Sequence, residues 1–342
     1  MAKCVTFGEI MLRLSPPGHE RLLQSPVLGA TFGGGEANVA VSLAHFGVES
    51  WYVTRLPKHA IGDAAVRALR GEGVRTEAIV RGGDRVGIYF AESGASQRAS
   101  TVIYDRAHSA ISEMGPDDVK WDAVLEGANW FHVTGITPAL GERAQSSTRR
   151  ALDAARHAGA RISIDLNYRR KLWTEAQAQA VMRPLCRSVD VIIANEEDLQ
   201  AVLGVAVADA EVTEGRLALA GYRAAAEQVA REYGVGLVAI TLRESYSASD
   251  NGWSAVLWDS GASAFWHSQR YDVRVVDRIG GGDSFAAGLI HGLLGGRSAE
   301  AALRFAVAAS ALKHTIPGDF NRVSADDVDR LAAGDASGRV QR

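Results

Sequence analysis

Three consecutive glycines, Gly280-Gly281-Gly282, stand between an apolar run that ends at Asp277 and the acidic residue Asp283. Phe285, Leu289 and Leu293 then recur at four-residue spacing, which predicts a helix beginning at Asp283. Glycines ahead of a helix let backbone N–H groups converge on one point, and the helix dipole adds positive potential there. Such a turn suits an anion, phosphate above all. An ionised Asp283 does not help to hold phosphate, but it is well placed to take a proton from an attacking hydroxyl. The two features together point to phosphoryl transfer to an alcohol. The same aspartate fits a plain helix N-cap closing a Gly-rich turn equally well. The segment is not a Walker loop, because no Gly-Lys-Ser/Thr follows, and it lacks the glycine spacing of a dinucleotide fingerprint.

A second glycine run, Gly33-Gly34-Gly35, leads into Glu36, Asn38 and an alanine- and valine-rich helix pattern. Gly34 permits close approach of backbone to a ligand. Asn38 offers a donor and an acceptor suited to sugar hydroxyls. By itself this segment also fits a tightly packed strand-to-helix turn.

Elements must carry these residues to one place. From about residue 120 onward, strand-like runs alternate with helical patterns. Strands are predicted at 130–134, 161–165, 189–194 and 237–241, and helices near 142–157, 175–185 and 222–233. The alternation implies βαβ units, a mostly parallel sheet and helices on both faces. Ligands of such sheets sit beyond the carboxyl ends of the strands. Asp165, Asn167, Asn195, Thr241 and Gly280 are all expected just after strands, so one edge collects them. Two segments, 11–32 and 85–106, break the rhythm with prolines, glycines and strand-like pieces (86–92 and 100–104 in the second). They are expected to pair into a small sheet that acts as a lid, with two ordinary surface hairpins as the other reading. The connection 204–221 has no readable role, and the tail 333–342 is expected to fray.

Composition narrows the partners. The 342 residues are 47% hydrophobic, enough for a large core, and the net charge of −3 argues against nucleic acid or an anionic membrane as the main partner. Cys4 and Cys186 are far apart and form no metal or disulfide pattern, which fits a reducing cytosol. No secretory signal or membrane-length apolar run is visible, so a cytoplasmic location is expected.

Gly33-Gly34 with Asn38 early, paired with Asp277 and Gly280-Gly281-Gly282-Asp283 late, resembles the two signatures of the ribokinase-like (phosphofructokinase-B-type) carbohydrate kinases, and the resemblance covers essentially the whole chain. It implies a three-layer αβα sandwich with a small β lid. The body would comprise 1–10, 33–84 and 107–342, and the lid 11–32 and 85–106. More narrowly, the segments 7–16, 104–110, 165–169, 194–198 and 313–320 are similar to bacterial 2-keto-3-deoxygluconate kinases. That similarity implies ATP-dependent phosphorylation of the sugar acid at its C6 hydroxyl, with Asp283 as base and Mg²⁺ on the nucleotide.

By the same resemblance, Gly34, Tyr89, Tyr104, Arg106, Arg169 and Asp319 contact the sugar. Asn167, Asn195, Thr241 and the Gly280, Gly281, Gly282 loop approach the phosphates, and a stretch around Ser310–His314 lines the adenine. The arginines suit a carboxylate on their own terms, since a guanidinium fork donates to both of its oxygens. Departures from the family pattern are Arg243 where glycine is usual, able to reach a phosphate, and Arg278 where threonine is usual. Arg13 stands where kinases of neutral sugars carry an aspartate, which disfavours a polyol. Within Asn195-Glu196-Glu197-Asp198, Glu197 or Asp198 is expected to orient the water shell of Mg²⁺ without binding it directly. A homodimer through the lids is expected. The alternatives are a kinase of fructose, ribose or another deoxy-keto acid, and a sensor that binds without turnover.

Overall fold

The computed structural model describes residues 1–208 and 215–335. The polar connection 204–221 and the tail 333–342 therefore lie partly outside the described residues.

The first third of the chain forms β1 (Lys3–Phe7), β2 (Met11–Ser15), β3 (Gly29–Gly33), α1 (Gly35–His45), β4 (Glu49–Val53), β5 (Arg55–Leu56), α2 (Ala60–Gly71), β6 (Val80–Arg81), β7 (Ile88–Glu92) and β8 (Thr101–Asp105). The middle forms α3 (Trp121–Leu125), β9 (Trp130–Thr134), α4 (Glu142–His157), β10 (Arg161–Asp165), α5 (Glu175–Cys186), β11 (Val191–Ala194), the short α6 (Glu196–Asp198) and α7 (Gly215–Tyr233). The last third forms β12 (Leu237–Ser245), β13 (Asp250–Asp259), β14 (Ala264–His267), β15 (Tyr271–Arg274), α8 (Gly281–Leu294), α9 (Ala299–Lys313) and α10 (Ala325–Ala332).

The large sheet runs β14-β13-β12-β11-β10-β9-β1-β4, with β15 also paired to β13. From β4 to β12 every pairing is parallel; β13, β14 and β15 form an antiparallel edge. The central strands are apolar on both faces because both faces are covered. Cys4, Trp130, Val191, Ile193, Leu237 and Ala239 pack against α1, α8 and α9. Their strand neighbours Val5, Phe131, Ile192, Val238 and Ile240 point the other way, into the core with α4, α5 and α7. This is the expected ribokinase-like three-layer αβα arrangement.

The segments that broke the rhythm form a separate four-stranded sheet, β3-β2-β7-β8, and β5 pairs with β6. In the four-stranded sheet, β2 pairs antiparallel with β3 and parallel with β7, and β7 pairs antiparallel with β8.

Two boundaries differ from expectation. β12 runs on to Ser245 because the hairpin with β13 keeps it paired, Arg243 opposite Trp253, so Thr241 lies within the strand and not after it. The glycine loop enters its helix earlier than expected: Gly280 is the N-cap, in the left-handed conformation at φ 87°, and Asp283 is the third residue of the helix. The N-cap reading of Asp283 therefore fails.

Candidate active site

The carboxyl ends of β10 and β11, the glycine-led starts of α1 and α8, and the inner face of the small sheet enclose one cleft of about 340 Å³. Gly34, Asn38, Tyr89, Tyr104, Arg106, Asn167, Arg169, Asn195, Thr241, Arg243, Gly280, Gly282, Asp283 and Asp319 all line it. Of the residues expected at the site, Gly281 and Glu197 do not. Gly281 is turned into the packing against His314, whose ring an added Cβ would meet at 2.5 Å. Glu197 is exposed, whereas the neighbouring Asp198 is buried and lines the cleft, so of that pair only Asp198 faces into it.

Asp283 sits at the centre. It is 9% exposed, and its Oδ2 accepts a hydrogen bond of 2.7 Å from the amide Nδ2 of Asn38. The Asn38 carbonyl accepts in turn from Gly34 N–H at 3.2 Å. The expected sugar-hydroxyl partner is thus engaged with the protein on both sides, and Asn38 aims Asp283. Burial pushes the Asp283 carboxyl up to about 7, reinforced by the charges of Asp319 and Glu36 and opposed by the Asn38 hydrogen bond and the Arg169 charge. A carboxyl held there is a base poised near neutrality.

The early glycines make this meeting possible. A Cβ on Gly34 would lie 1.9 Å from the Glu9 carbonyl oxygen, and one on Gly33 would lie 2.1 Å from the Asp319 carboxylate. Gly280 is similarly confined, 2.2 Å from the Asp319 carbonyl, and needs its positive φ besides. An added Cβ on Gly282, by contrast, would meet nothing within 4 Å. Ser310 on α9 fixes the start of α8 by donating to the Gly281 carbonyl at 2.7 Å.

The remaining carboxylates crowd the part of the cleft at the ends of β10 and β11. Asp165, at the end of β10, accepts from Asn167 N–H at 3.1 Å, and Asn167 takes φ 38°, a left-handed conformation that asparagine tolerates better than most residues. Burial raises the Asp165 carboxyl, and the charges of Asp198 and Asp283 add to it. Burial raises Asp198 to about 6. Asp165 was expected at this edge but not as a site residue.

On the side of the small sheet Arg106 is 9% exposed, and Glu9 holds its Nε at 2.8 Å and also its Nη2. Ser109 donates to the other Glu9 oxygen at 2.7 Å. The Arg106 guanidinium lies over the Tyr104 ring, 5.4 Å from its centroid. Arg169 is exposed and lines the cleft opposite. Tyr89 and Tyr104 face each other with ring centroids 6.0 Å apart. The Tyr89 hydroxyl is committed to Asp319 at 2.6 Å.

Arg13 corrects an expectation. It does not line the cleft. Its two terminal nitrogens donate to Asp277 and Asp319, each at 2.7 Å, with all three side chains buried. A charge so balanced cannot select an acidic substrate, and the argument from Arg13 against a polyol falls. Arg13 instead ties β2 to the residues flanking the glycine loop. Lys313 completes the cluster: fully buried, its ammonium donates to the carbonyls of Asp277 (3.4 Å) and Ile316 (3.2 Å).

Sequence reasoning also missed Glu9, Asn251 and Trp253. An acid directly after the first strand, amid apolar residues, was the available signal for Glu9. His314 falls in the stretch expected to line the adenine. Its Nδ1 donates to Ser310 O at 2.7 Å, and its ring packs on Trp253 with centroids 4.9 Å apart. Burial holds the ring neutral, down to about 4.

An aspartate poised near pH 7, beside a helix start lined by glycines and across a cleft from arginines and tyrosines, has the makings of a site for phosphoryl transfer to a polar alcohol. Comparison with known proteins agrees. The profile of the pfkB family carbohydrate kinases matches residues 1–324. The chain belongs to the pfkB family of carbohydrate kinases. The kinase is similar to a solved structure of 2-dehydro-3-deoxygluconokinase from Thermotoga maritima, with 50% identity and a TM-score of 0.93 over 98% of this chain and 100% of that one. It is 34% identical to a 2-dehydro-3-deoxygalactonokinase of Haloferax volcanii over 98% of each chain. It is 30% identical to a 2-dehydro-3-deoxygluconokinase of Bacillus subtilis, over 93% of this chain and 91% of the relative. Among the described residues no helix is long and apolar enough to cross a membrane.

Proposed function

We propose that this kinase transfers the γ-phosphoryl group of ATP to the C6 hydroxyl of 2-keto-3-deoxygluconate, giving 2-keto-3-deoxy-6-phosphogluconate and ADP. The observation that carries the reading is the Asp283 carboxyl: raised to about 7, aimed by Asn38 at 2.7 Å, and facing one cleft with Gly280, Gly282 and Arg106. Asp283 accepts the proton of the C6 hydroxyl as its oxygen attacks the γ-phosphorus. The N–H groups of the Gly280–Gly282 loop and the first turn of α8 stabilise the charge on the transferred group. Gly281 serves here through its backbone only. Positioning and electrostatics supply most of the acceleration, and general-base help adds roughly a hundred- to ten-thousandfold.

Arg106 and Arg169 bind the sugar carboxylate, with Tyr104, Tyr89, Gly34 and Asp319 shaping the rest of the sugar site. Asn167, Asn195, Thr241 and Arg243 contact the nucleotide. Mg²⁺ supplies positive charge to the nucleotide phosphates. Asp165 and Asp198, buried acids that both resist ionisation, fit a role beside its water shell, since a dication would relieve their crowding. Residues 11–32 and 85–106 act as the lid on a body of 1–10, 33–84 and 107–342. The lid pairs with that of a second copy, a reading supported by Ile103, an apolar side chain exposed on the outer strand β8. We assign the enzyme to the cytoplasm, where its buried free thiols Cys4 and Cys186 stay reduced.

The 34% likeness to a galactonate-type relative supports a second reading, the C4 epimer 2-keto-3-deoxygalactonate. A coupled assay of ADP release over both epimers, fructose, ribose and nucleosides tests the proposal. The highest kcat/KM is expected for a 2-keto-3-deoxy acid. Preference for a neutral sugar would reject it.

A further inference from the structure

We propose that Arg243 and Arg278 form a paired guanidinium subsite for the phosphate chain of the nucleotide, so that affinity depends on phosphate number more than on the base. This rests on the kinase reading above. Both side chains line the cleft, on the wall that also carries Thr241, Gly280 and His314. Arg243 stands on β12 directly opposite Trp253. Arg278 follows Asp277, and its Nη2 donates at 3.0 Å to the Ala248 carbonyl at the β12–β13 turn, so the hairpin that carries one arginine anchors the other.

Three observations indicate that the counter-charge is a ligand. Neither arginine enters an ion pair among the described residues, and Asp277, the acid next to Arg278, is already bonded to Arg13, Gly318 N–H and Ile279 N–H. The Arg278 Nε is buried and has no hydrogen-bond partner. Burial and then the Arg243 charge work against the cation on Arg278, and the Asp277 charge offsets them only in part, which fits two like charges held close. A buried guanidinium N–H left open costs free energy unless something accepts from it. Phosphate oxygens match that fork, and two forks on one wall match successive phosphates better than a ribose or a base.

The test is calorimetric titration of the full-length enzyme with ADP, adenosine and inorganic tripolyphosphate, without divalent cation. Arg243→Met and Arg278→Met are each expected to weaken ADP about ten- to a hundredfold, with adenosine unchanged within about twofold. Tripolyphosphate should displace ADP from the wild type and fail to bind the double variant. Arg278→Lys, which keeps the charge without the fork, should recover part of the loss. Arg304→Met, an exposed arginine on α9, controls for net charge and should bind ADP normally. Adenosine weakened as much as ADP, or ADP unaffected, would overturn the subsite. If the wild type still releases ADP from ATP and a sugar acid in that case, only the arginine pair is wrong. If it neither binds ADP nor turns over, the kinase reading falls as well.

Discussion

Replacing Asp283 by asparagine is expected to do two opposite things. Turnover should fall by about a hundred- to ten-thousandfold, the usual share of a general base, while the folded protein becomes more stable at alkaline pH. The second effect follows from the raised carboxyl. An unfolded aspartate titrates at 3.8 and the folded one at about 7, a difference of about three units. At 1.36 kcal/mol per unit, keeping the buried carboxylate ionised costs the fold up to about 4 kcal/mol. Asparagine is neutral and keeps an oxygen for the Asn38 donor, but its new N–H group needs a partner, so we expect about half of that gain.

The sign can be checked against pH. The native state holds its proton more tightly than the unfolded chain. Its stability is therefore undiminished below pH 3.8 and declines as pH rises through about 7. The advantage of Asp283→Asn should be largest near pH 8 and shrink towards pH 5. With an unfolding entropy of about 2.1 cal/mol/K per residue over 342 residues, about 2 kcal/mol corresponds to a Tm rise of about 3 °C. Thermal melts of wild type and variant at pH 8 and pH 5.5, without nucleotide, read this directly, and coupled ADP release gives the rate. A variant that melts lower than wild type at pH 8, or that keeps near-normal kcat, would refute the base assignment.

Arg106→Ala and Arg169→Ala should each raise KM for the sugar acid at least tenfold while moving KM for ATP little, since charge-assisted hydrogen bonds contribute about 1.5–3 kcal/mol; a rise confined to ATP would contradict the clamp. Gly34→Ala should fail to fold stably, because its Cβ would sit 1.9 Å from a backbone oxygen, whereas Gly282→Ala has open space and should fold normally, as expression and circular dichroism would show. Arg13→Met leaves Asp277 and Asp319 buried without their cation and should cost about 3–5 kcal/mol in chemical denaturation; a loss under 1 kcal/mol would mean that the pairs contribute little to the fold.

The sequence announces its strands and helices wherever a central strand is apolar on both faces, as in 161–165 and 237–241, and the glycine runs locate the cleft because packing leaves Gly33, Gly34 and Gly280 no room for a Cβ. The antiparallel edge escapes because its strands mix polar and aromatic residues around short turns, so no single period stands out. The buried charges escape for a different reason. Arg13 meets Asp319 across 306 positions of chain, and Arg106 meets Glu9 across 97. A charged residue is by default solvated, and no local pattern marks the few that fold inward to find a partner. The error over Arg13 came from treating an aligned position as a substrate contact before knowing which way its side chain faced.

Charge in the cleft is divided by layer. Asp165, Asp198 and Asp283 come from strand ends and a helix start, and all three carry a carboxyl raised mainly by burial. Arg106 follows β8 of the small sheet and Arg169 lies in the loop after β10, and both line the same cleft as Asp283. Arg169 already pulls the Asp283 carboxyl downward. A sugar acid that binds Arg169 through its carboxylate cancels that pull and adds its own negative charge, so the bound complex should titrate higher than the free enzyme. The base would then grip the proton of the C6 hydroxyl more strongly once the correct substrate is seated, and a neutral sugar in the same place would leave it weaker. In kinetic terms, the acidic limb of the kcat profile should lie at higher pH than that of kcat/KM for the sugar acid, and the separation should narrow in Arg169→Ala, where only the substrate's own charge remains to shift Asp283.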